Sequence, residues 1–305
     1  VKGPSSVFAV GTPGDAGVVM AGLTAGVREA ARAIAEGGVV AFTGAGVSAE
    51  AGIPTFRDPG GLWETFAPES EGTWEGMLEL AMTHPDRLAD LLVRIRAAFL
   101  RARPSQAHRS LVEWERAGIL SAVVTQNVDG LHQEAGSAVV VEIHGSLRRW
   151  RCGRCGRVEE VSRSQLVERF ERMIGGLRSA FIPSLLALLP KCPTCGGPVR
   201  PDVVTFGEGV REFERARRYA QSCRTLVVIG TSGMVLPAAE LPDVARTFGA
   251  HVIRIDRAAD PVESDIHLEG KAARILGGLT RETWRRLEWS RRMAPEPPAP
   301  RRADG

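Results

Sequence analysis

Lysine is nearly absent from this 305-residue chain, occurring only at Lys2, Lys191 and Lys271, so arginine carries almost all of the positive charge, a bias of the kind that GC-rich coding produces. No apolar run approaches the roughly eighteen uninterrupted residues that suggest a membrane span, and no membrane partner is expected. The stretch Val1–Leu23 lacks a charged segment followed by a long apolar one, which argues against a secretory signal and makes a cytoplasmic location the expectation. Net charge is only +3, too small a balance to require a nucleic-acid partner. There is no internal repeat. Residues 1–25 show no clear period and residues 293–305 are rich in proline, so both ends are expected to lack fixed structure.

What is present is enough apolar content, 44%, to bury a sizeable core. Val27, Ala30, Ala31 and Ile34 lie at helical spacing, and the run stops at Gly37-Gly38 before an apolar strand, Val39 to Thr43. Ser105 can cap a helix that ends at Gly118, ahead of a second strand, Ile119 to Thr125. Further strands are expected at Val139–Ile143, Leu226–Ile229 and Val252–Ile255, with helices near 211–221 and 237–248. This alternation predicts an α/β fold with a doubly wound, Rossmann-like, mostly parallel sheet over residues 26–58, 105–147 and 200–283. Residues 59–104, a loop and then a helix carrying Leu88, Leu91, Leu92, Ile95 and Phe99, break the alternation, as do the cysteine-bearing residues 148–199. Together they are expected to form a smaller inserted helical and zinc-binding domain, with a cleft between it and the sheet.

Several motifs fall at strand ends. Gly44-Ala45-Gly46-Val47-Ser48-Ala49 fits the G-x-G-x-x-G/A loop that approaches a pyrophosphate, though a dehydrogenase should place a ribose-binding acid about twenty positions on. Here Ile53-Pro54-Thr55-Phe56-Arg57 intervenes, and Glu64 sits in a Gly-Gly-Leu-Trp-Glu context instead of at a strand end. Gln126, Asn127 and Asp129 suit recognition of an amide and ribose hydroxyls, or else form a turn that caps the next helix. His144 closes an apolar strand before Gly145 and is a candidate general base, whereas His84, His108, His132, His251 and His267 read as satisfied structural residues. Gly230-Thr231-Ser232-Gly233 is a second small-residue loop suited to phosphate or ribose. Asp256 can accept from ribose hydroxyls and would repel a 2′-phosphate.

Cys152-x-x-Cys155 and Cys192-x-x-Cys195 supply four thiolates, the preferred set for a structural Zn²⁺ with no open position for chemistry. Cys223 stands alone and reads as a small buried residue. The arginines at 148, 149, 151, 154 and 157 read as a solvated face.

In their order along the chain, these motifs, with Pro201-Asp202-Val203-Val204-Thr205-Phe206-Gly207-Glu208, resemble the sirtuin family of NAD-dependent protein deacylases over residues 26–280. The resemblance implies NAD as cofactor, structural zinc, and acyl-lysine proteins or peptides as partners. It implies transfer of the acyl group to ADP-ribose with release of nicotinamide, His144 taking the proton from a ribose hydroxyl. It implies that Asn127 and Asp129 line the nicotinamide pocket, that Gln126 meets the ribose, and that Phe56 and Arg57 belong to a loop covering the reacting sugar and the phosphates. It also implies that Val204, Phe206, Gly207 and Glu208 pair with substrate backbone, opposite an edge near Val235-Leu236-Pro237. Sirtuins usually carry Asn where Asp256 stands. Sirtuins that remove acidic acyl groups carry Tyr-x-x-Arg, here Val93-x-x-Arg96, which favours acetyl or another neutral group. A protein mono-ADP-ribosyltransferase and a non-catalytic NAD-sensing zinc-ribbon module are the competing readings.

Overall fold

The computed structural model describes residues 6–8, 16–55, 61, 66–179, 185–257 and 263–293. Strand β1 (Ser6–Phe8) and helix α1 (Ala16–Ala35) precede β2 (Val39–Thr43) and the short helix α2 (Ala45–Ala49). Helices α3 (Pro68–Glu71), α4 (Trp74–Thr83), α5 (Pro85–Arg101) and α6 (Gln106–Arg116) lead to β3 (Leu120–Thr125), α7 (Leu131–Ala135) and β4 (Val140–Glu142). Then come β5 (Gly145–Cys152), β6 (Val158–Glu160), α8 (Arg163–Leu177), α9 (Leu185–Leu188) and β7 (Val199–Val203). The chain continues through α10 (Phe213–Ser222), β8 (Thr225–Ile229), α11 (Leu241–Thr247), β9 (His251–Asp256), β10 (Ile266–Glu269) and α12 (Ala272–Met293).

Seven strands form one sheet in the order β1-β10-β9-β8-β2-β3-β4, and every pairing is parallel. The central strands are apolar throughout because both faces are covered. Val39, Ala41, Ile253 and Ile255 pack in one core with Ala30, Leu111 and Leu276 of α1, α6 and α12, while Val40, Phe42 and Val252 pack in another with Ala216 and Ala245 of α10 and α11. Strand order runs outward in both directions from the β2–β8 pair, so the crevice at their carboxyl ends is the topological switch point where such sheets bind ligands.

A second core joins two segments distant in sequence. Leu80, Leu88, Leu92 and Phe99 of α4 and α5 meet Leu166, Phe170 and Leu177 of α8, together with Trp150, Cys152, Cys192 and Val199. Its sheet, β6-β5-β7, is antiparallel. Ser162 opens α8 by accepting from Gln165 N while Gln165 Oε1 accepts from Ser162 N, a reciprocal cap.

The N-terminal expectation is corrected: β1 pairs with β10, Ser6 opposite Ile266, and α1 begins at Ala16. Three residues carry no readable period, and the pairing that orders them lies more than 250 positions away. The end of the chain, 294–305, falls outside the described residues. Among the described residues no helix is long and apolar enough to cross a membrane.

The arginine run is a solvated face only in part, since Arg154 and Arg157 are exposed whereas Arg149 and Arg151 reach buried carboxylates. Arg151 holds buried Asp202 through two bonds of 2.8 and 3.1 Å, Arg149 bonds buried Glu142 at 2.6 Å, and Arg157 donates to Thr194 Oγ1 at 3.0 Å. Burial pushes the Asp202 carboxyl up, but the Arg151 guanidinium outweighs it and leaves the net shift downward. These pairs tie β5 to β7, to β4 and to the knuckle between the cysteine pairs.

Candidate active site

The glycine loops after β2 and β8 touch each other. Gly46 N donates to Gly230 O at 2.8 Å and Gly44 N to Ile229 O at 2.9 Å. A Cβ on Gly46 would lie 2.6 Å from Gly230 Cα, and Gly230 itself has φ of +59°. The absent side chains thus let two loops of the crevice pack backbone to backbone, in addition to any ligand they admit. Gln126, in the loop after β3, reaches the β8 loop, donating from Nε2 to Thr231 Oγ1 at 2.6 Å.

Below this contact lies a buried polar cluster. Asn127 Nδ2 donates to Gly44 O at 3.0 Å and to Ser48 Oγ at 3.1 Å. Ser48 Oγ in turn donates to Asp129 Oδ2 at 2.7 Å, and Asp129 Oδ1 accepts from Leu131 N at 2.8 Å. Burial raises the Asp129 carboxyl, and these two donors act against the rise. The structure therefore joins Ser48, Asn127 and Asp129 into one unit, and Asp129 also makes the helix-capping bond to α7 that was the alternative reading of this loop.

His144 follows β4 and is half-buried. Its Nδ1 donates to Gln126 O at 3.0 Å, leaving Nε2 as the ring's lone-pair nitrogen. Burial lowers its pKa, and the Gln126 carbonyl opposes that shift. Gly145 has φ of +77°, and a Cβ there would stand 1.8 Å from Asp202 O. The close crossing of β5 and β7 behind the histidine requires glycine.

The remaining residues spread around this centre. Val204 N donates to His144 O at 2.9 Å, placing the 203–208 segment beside the histidine. Phe206 is exposed, and its N–H donates to Gly72 O at 3.1 Å. Gly207 has φ of +83°; Glu208 accepts from Thr205 N at 3.1 Å and forms an ion pair with Arg200, whose guanidinium lies over Trp74. Val235 is half-buried, and its carbonyl accepts from Ala239 N. Ala45 and Ala49 bound α2, Ile53 packs with Ala51, Ala102 and Leu131, and Ser232 is half-buried beside Thr231. Asp256 turns its Oδ1 onto Arg257 N at 2.6 Å. Phe56 and Arg57 lie outside the described residues.

Sequence reading missed the floor of the site. His108 and His132 are fully buried with ring centroids 4.7 Å apart. His108 Nδ1 accepts from Ser105 N at 3.2 Å, and its Nε2 faces Ser48 Oγ at 3.5 Å. Burial lowers His108 to about 4 and drives His132 well below the ordinary imidazole value. Between pH 6.5 and about 4 the unfolded chain therefore binds protons that the folded chain refuses, so stability is full above 6.5 and falls on acidification. His108 alone accounts for about 3 kcal/mol across that window, His132 adds to it, and Asp129, raised in the fold, acts in the opposite direction. Urea midpoints should be lower at pH 5 than at pH 7, and His108→Asn should shrink the difference; equal midpoints would contradict a neutral buried pair.

The four cysteine sulfurs lie within 4.8 Å of one another, with Cys152 to Cys195 at 3.5 Å and Cys155 to Cys192 at 3.7 Å. Tetrahedral sulfur ligands at about 2.3 Å from Zn²⁺ stand about 3.8 Å apart, so the cluster fits the ion. Backbone N–H donation from Thr194 lowers the Cys192 thiol to about 6, while burial and the neighbouring thiols raise Cys195 to about 11, so protons are unevenly shared in the cluster without a metal. Cys223 is buried and raised to about 11, the behaviour of an inert thiol.

With this geometry in hand, comparison with known proteins is decisive: the Sir2 family model matches residues 44–237. The chain belongs to the Sir2 family, the sirtuins. It is similar to an NAD-dependent protein deacylase of Desulfosudis oleivorans, 44% identical over 231 residues that cover 75% of this chain and 85% of that protein. Among solved structures, a Sir2 homologue in complex with NAD superposes with a TM-score of 0.69 at 36% identity, covering 85% of this chain and 94% of that one. Sir2Af2 bound to a myristoylated histone peptide does so with a TM-score of 0.65 at 30% identity, covering 87% and 99%.

Proposed function

We propose that this chain is an NAD-dependent protein-lysine deacylase acting on neutral acyl groups, acetyl first among them, with His144 and Asn127 as catalytic residues. The observation that carries this reading is the convergence of His144, oriented by Gln126 O, with the Asn127–Ser48–Asp129 unit at the carboxyl edge of β2, β3 and β4. NAD supplies an electrophilic ribose carbon and a departing nicotinamide. Asn127 and Asp129 would orient the carboxamide end, Gln126 and Thr231 would hold the ribose side, and the Gly44–Gly46 and Gly230 loops would receive the phosphates. His144 Nε2 would take the proton of the ribose hydroxyl that receives the acyl group, and the lysine amine would leave protonated. Val204 to Glu208 and Val235 offer edges on which an extended peptide could add as a strand, a mode that would accept varied sequence around the lysine. Zinc held by Cys152, Cys155, Cys192 and Cys195 would stabilise the second core and stay out of the reaction.

Acyl preference follows from α5. Arg96 donates from Nη1 to Glu171 Oε1 at 2.8 Å, so the guanidinium already has a carboxylate partner, and Val93 packs into the second core. That pairing supports a neutral group over an acidic one. The test is mass spectrometry of acetyl- and succinyl-lysine peptides, and of a carrier protein, incubated with and without NAD. Loss of acetyl mass only with NAD supports the reading. A gain of ADP-ribose mass on the carrier without acyl loss would move it to mono-ADP-ribosyl transfer, and efficient desuccinylation would overturn the acyl preference.

A further inference from the structure

Beneath Asn127 runs a second hydrogen-bonded chain that does not involve Ser48 or Asp129. Thr43 and Thr125 end β2 and β3 and are register partners, so their side chains project side by side from one face of the sheet. Both are buried, and Thr43 Oγ1 donates to Thr125 Oγ1 at 2.8 Å. Thr43 has then used its only proton, so its 3.0 Å contact with His132 Nε2 requires the histidine to donate. That assigns the Nε2–H tautomer to His132 and leaves Nδ1 as an acceptor with no hydrogen-bond partner in the buried floor. Thr125 Oγ1, polarised by Thr43, accepts from Asn127 N at 3.1 Å.

We infer that His132, Thr43 and Thr125 form a positioning relay that fixes the backbone of Asn127, so that the side chain is presented to the dinucleotide from a loop held at both ends. The inference rests on the proposed deacylase reading, because it assigns the relay's purpose to Asn127. Two bonds hold the Asn127 side chain, donated by its Nδ2 to Gly44 O and Ser48 Oγ, and the relay holds its N–H. Asn127 N lies beyond the sheet, since β3 ends at Thr125 and the ladder with β4 does not include it. A loop without the threonine acceptor would leave that buried N–H unpaired or let it turn away to find another partner. His132 sits at the far end of the relay, in α7, whose first residue Leu131 is itself bonded to Asp129. Movement of α7 is thereby coupled to both sides of the 126–129 loop.

The test compares Thr43→Val, which keeps shape and removes the hydroxyl, with Thr43→Ser, which keeps the hydroxyl. We expect T43V to lower kcat/KM for NAD by about tenfold, the scale of one buried hydrogen bond, with KM for the acyl peptide within twofold of wild type. T43S should restore most of the loss. If T43V melts below the assay temperature, His132→Gln and His132→Leu ask the question from the other end. The glutamine amide can still donate to Thr43 Oγ1 and should retain NAD turnover, whereas leucine should lose it. Equal impairment of T43V and T43S, equal behaviour of H132Q and H132L, or a loss that merely tracks the melted fraction would overturn the relay. Wild-type protein that fails to consume NAD with acyl peptide would instead overturn the deacylase reading, so the two failures are separate.

Discussion

Alanine at His144 is expected to lower kcat by about 10² to 10⁴ while leaving NAD affinity within a few-fold of wild type. The ring is half-buried at the end of β4, and its Nδ1 is committed to Gln126 O, so the side chain contributes one free nitrogen to the crevice. Truncation removes that nitrogen but no bond to Asn127, Ser48, Asp129 or Thr231, the groups assigned to the cofactor. Gln126 loses one acceptor contact on its carbonyl, yet its N–H still donates to Thr43 O at 2.9 Å. Binding and turnover should therefore separate: calorimetry reads NAD affinity, and mass spectrometry of the acyl-ADP-ribose product reads turnover. Unchanged turnover would remove His144 from the mechanism. The pH profile gives an independent check. Burial lowers the imidazole pKa, so the neutral base persists below pH 6.5, and the acid limb of kcat should lie below that value. A limb displaced above it would place another group in control.

What could be read from residues alone followed from how locally each feature is encoded. β2, β3, β8 and β9 were legible because strands buried on both faces are built around an apolar run, even where Ser121 or Arg254 interrupts it. The cysteine pairs were legible because a tetrahedral thiolate site needs two close ligands from each of two turns. The position of His144 was legible because it follows an apolar strand, and position in a parallel sheet decides which side chains lie at the carboxyl edge. β1 and β10 were not legible, since three or four residues at a sheet margin carry no decisive pattern. β5 escaped for a different reason: its alternation is written in Arg149, Trp150, Arg151 and Cys152, and the arginines disguise an inward face of Trp150 and Cys152. Their buried partners, Glu142 and Asp202, lie 7 and 51 positions away, so nothing local distinguishes an ion-paired arginine from a solvated one.

The floor of the site was hidden by the same logic. Thr43 and His132 are separated by 89 positions and Thr43 and Thr125 by 82, and a threonine at a strand end satisfies strand propensity without advertising a hydroxyl contact. Treating His108 and His132 as satisfied structural residues was half right. His108 has its Ser105 partner, but the pair also underlies Ser48 and Thr43, so these residues support the site even though they are remote from solvent. The glycines of the first loop show the converse case: the motif placed them correctly and gave only part of the reason, because Gly46 and Gly230 also need each other's missing side chains.

Removal of zinc should unfold the second core and, with it, abolish activity that the metal does not itself catalyse. Structural Zn²⁺ sites contribute on the order of 10 kcal/mol of binding free energy, comparable to the whole stability of a domain. Here the cysteines are not an appendage. Cys152 is the last residue of β5, Cys192 sits in the same core as Phe170 and Leu166, and β7 begins four residues after Cys195. β5 begins at Gly145, the residue after His144, and β7 ends at Val203, immediately before Val204 bonds His144 O. Loss of the metal would therefore loosen the β5–β7 pair at one end while His144 and the proposed peptide edge hang on the other. Incubation with a strong chelator, or Cys192→Ser, should lower the melting temperature by more than 10 °C on the scale of a few kcal/mol lost, expose the 153–198 segment to protease, and reduce deacylation in proportion. NAD binding should survive longer than turnover, because the Gly44, Asn127 and Gly230 loops are braced by the large sheet and not by the knuckle. A metal-free protein with unchanged melting and full activity would show that the four thiols need no ion, and the coupling drawn from β5 and β7 would fall with it.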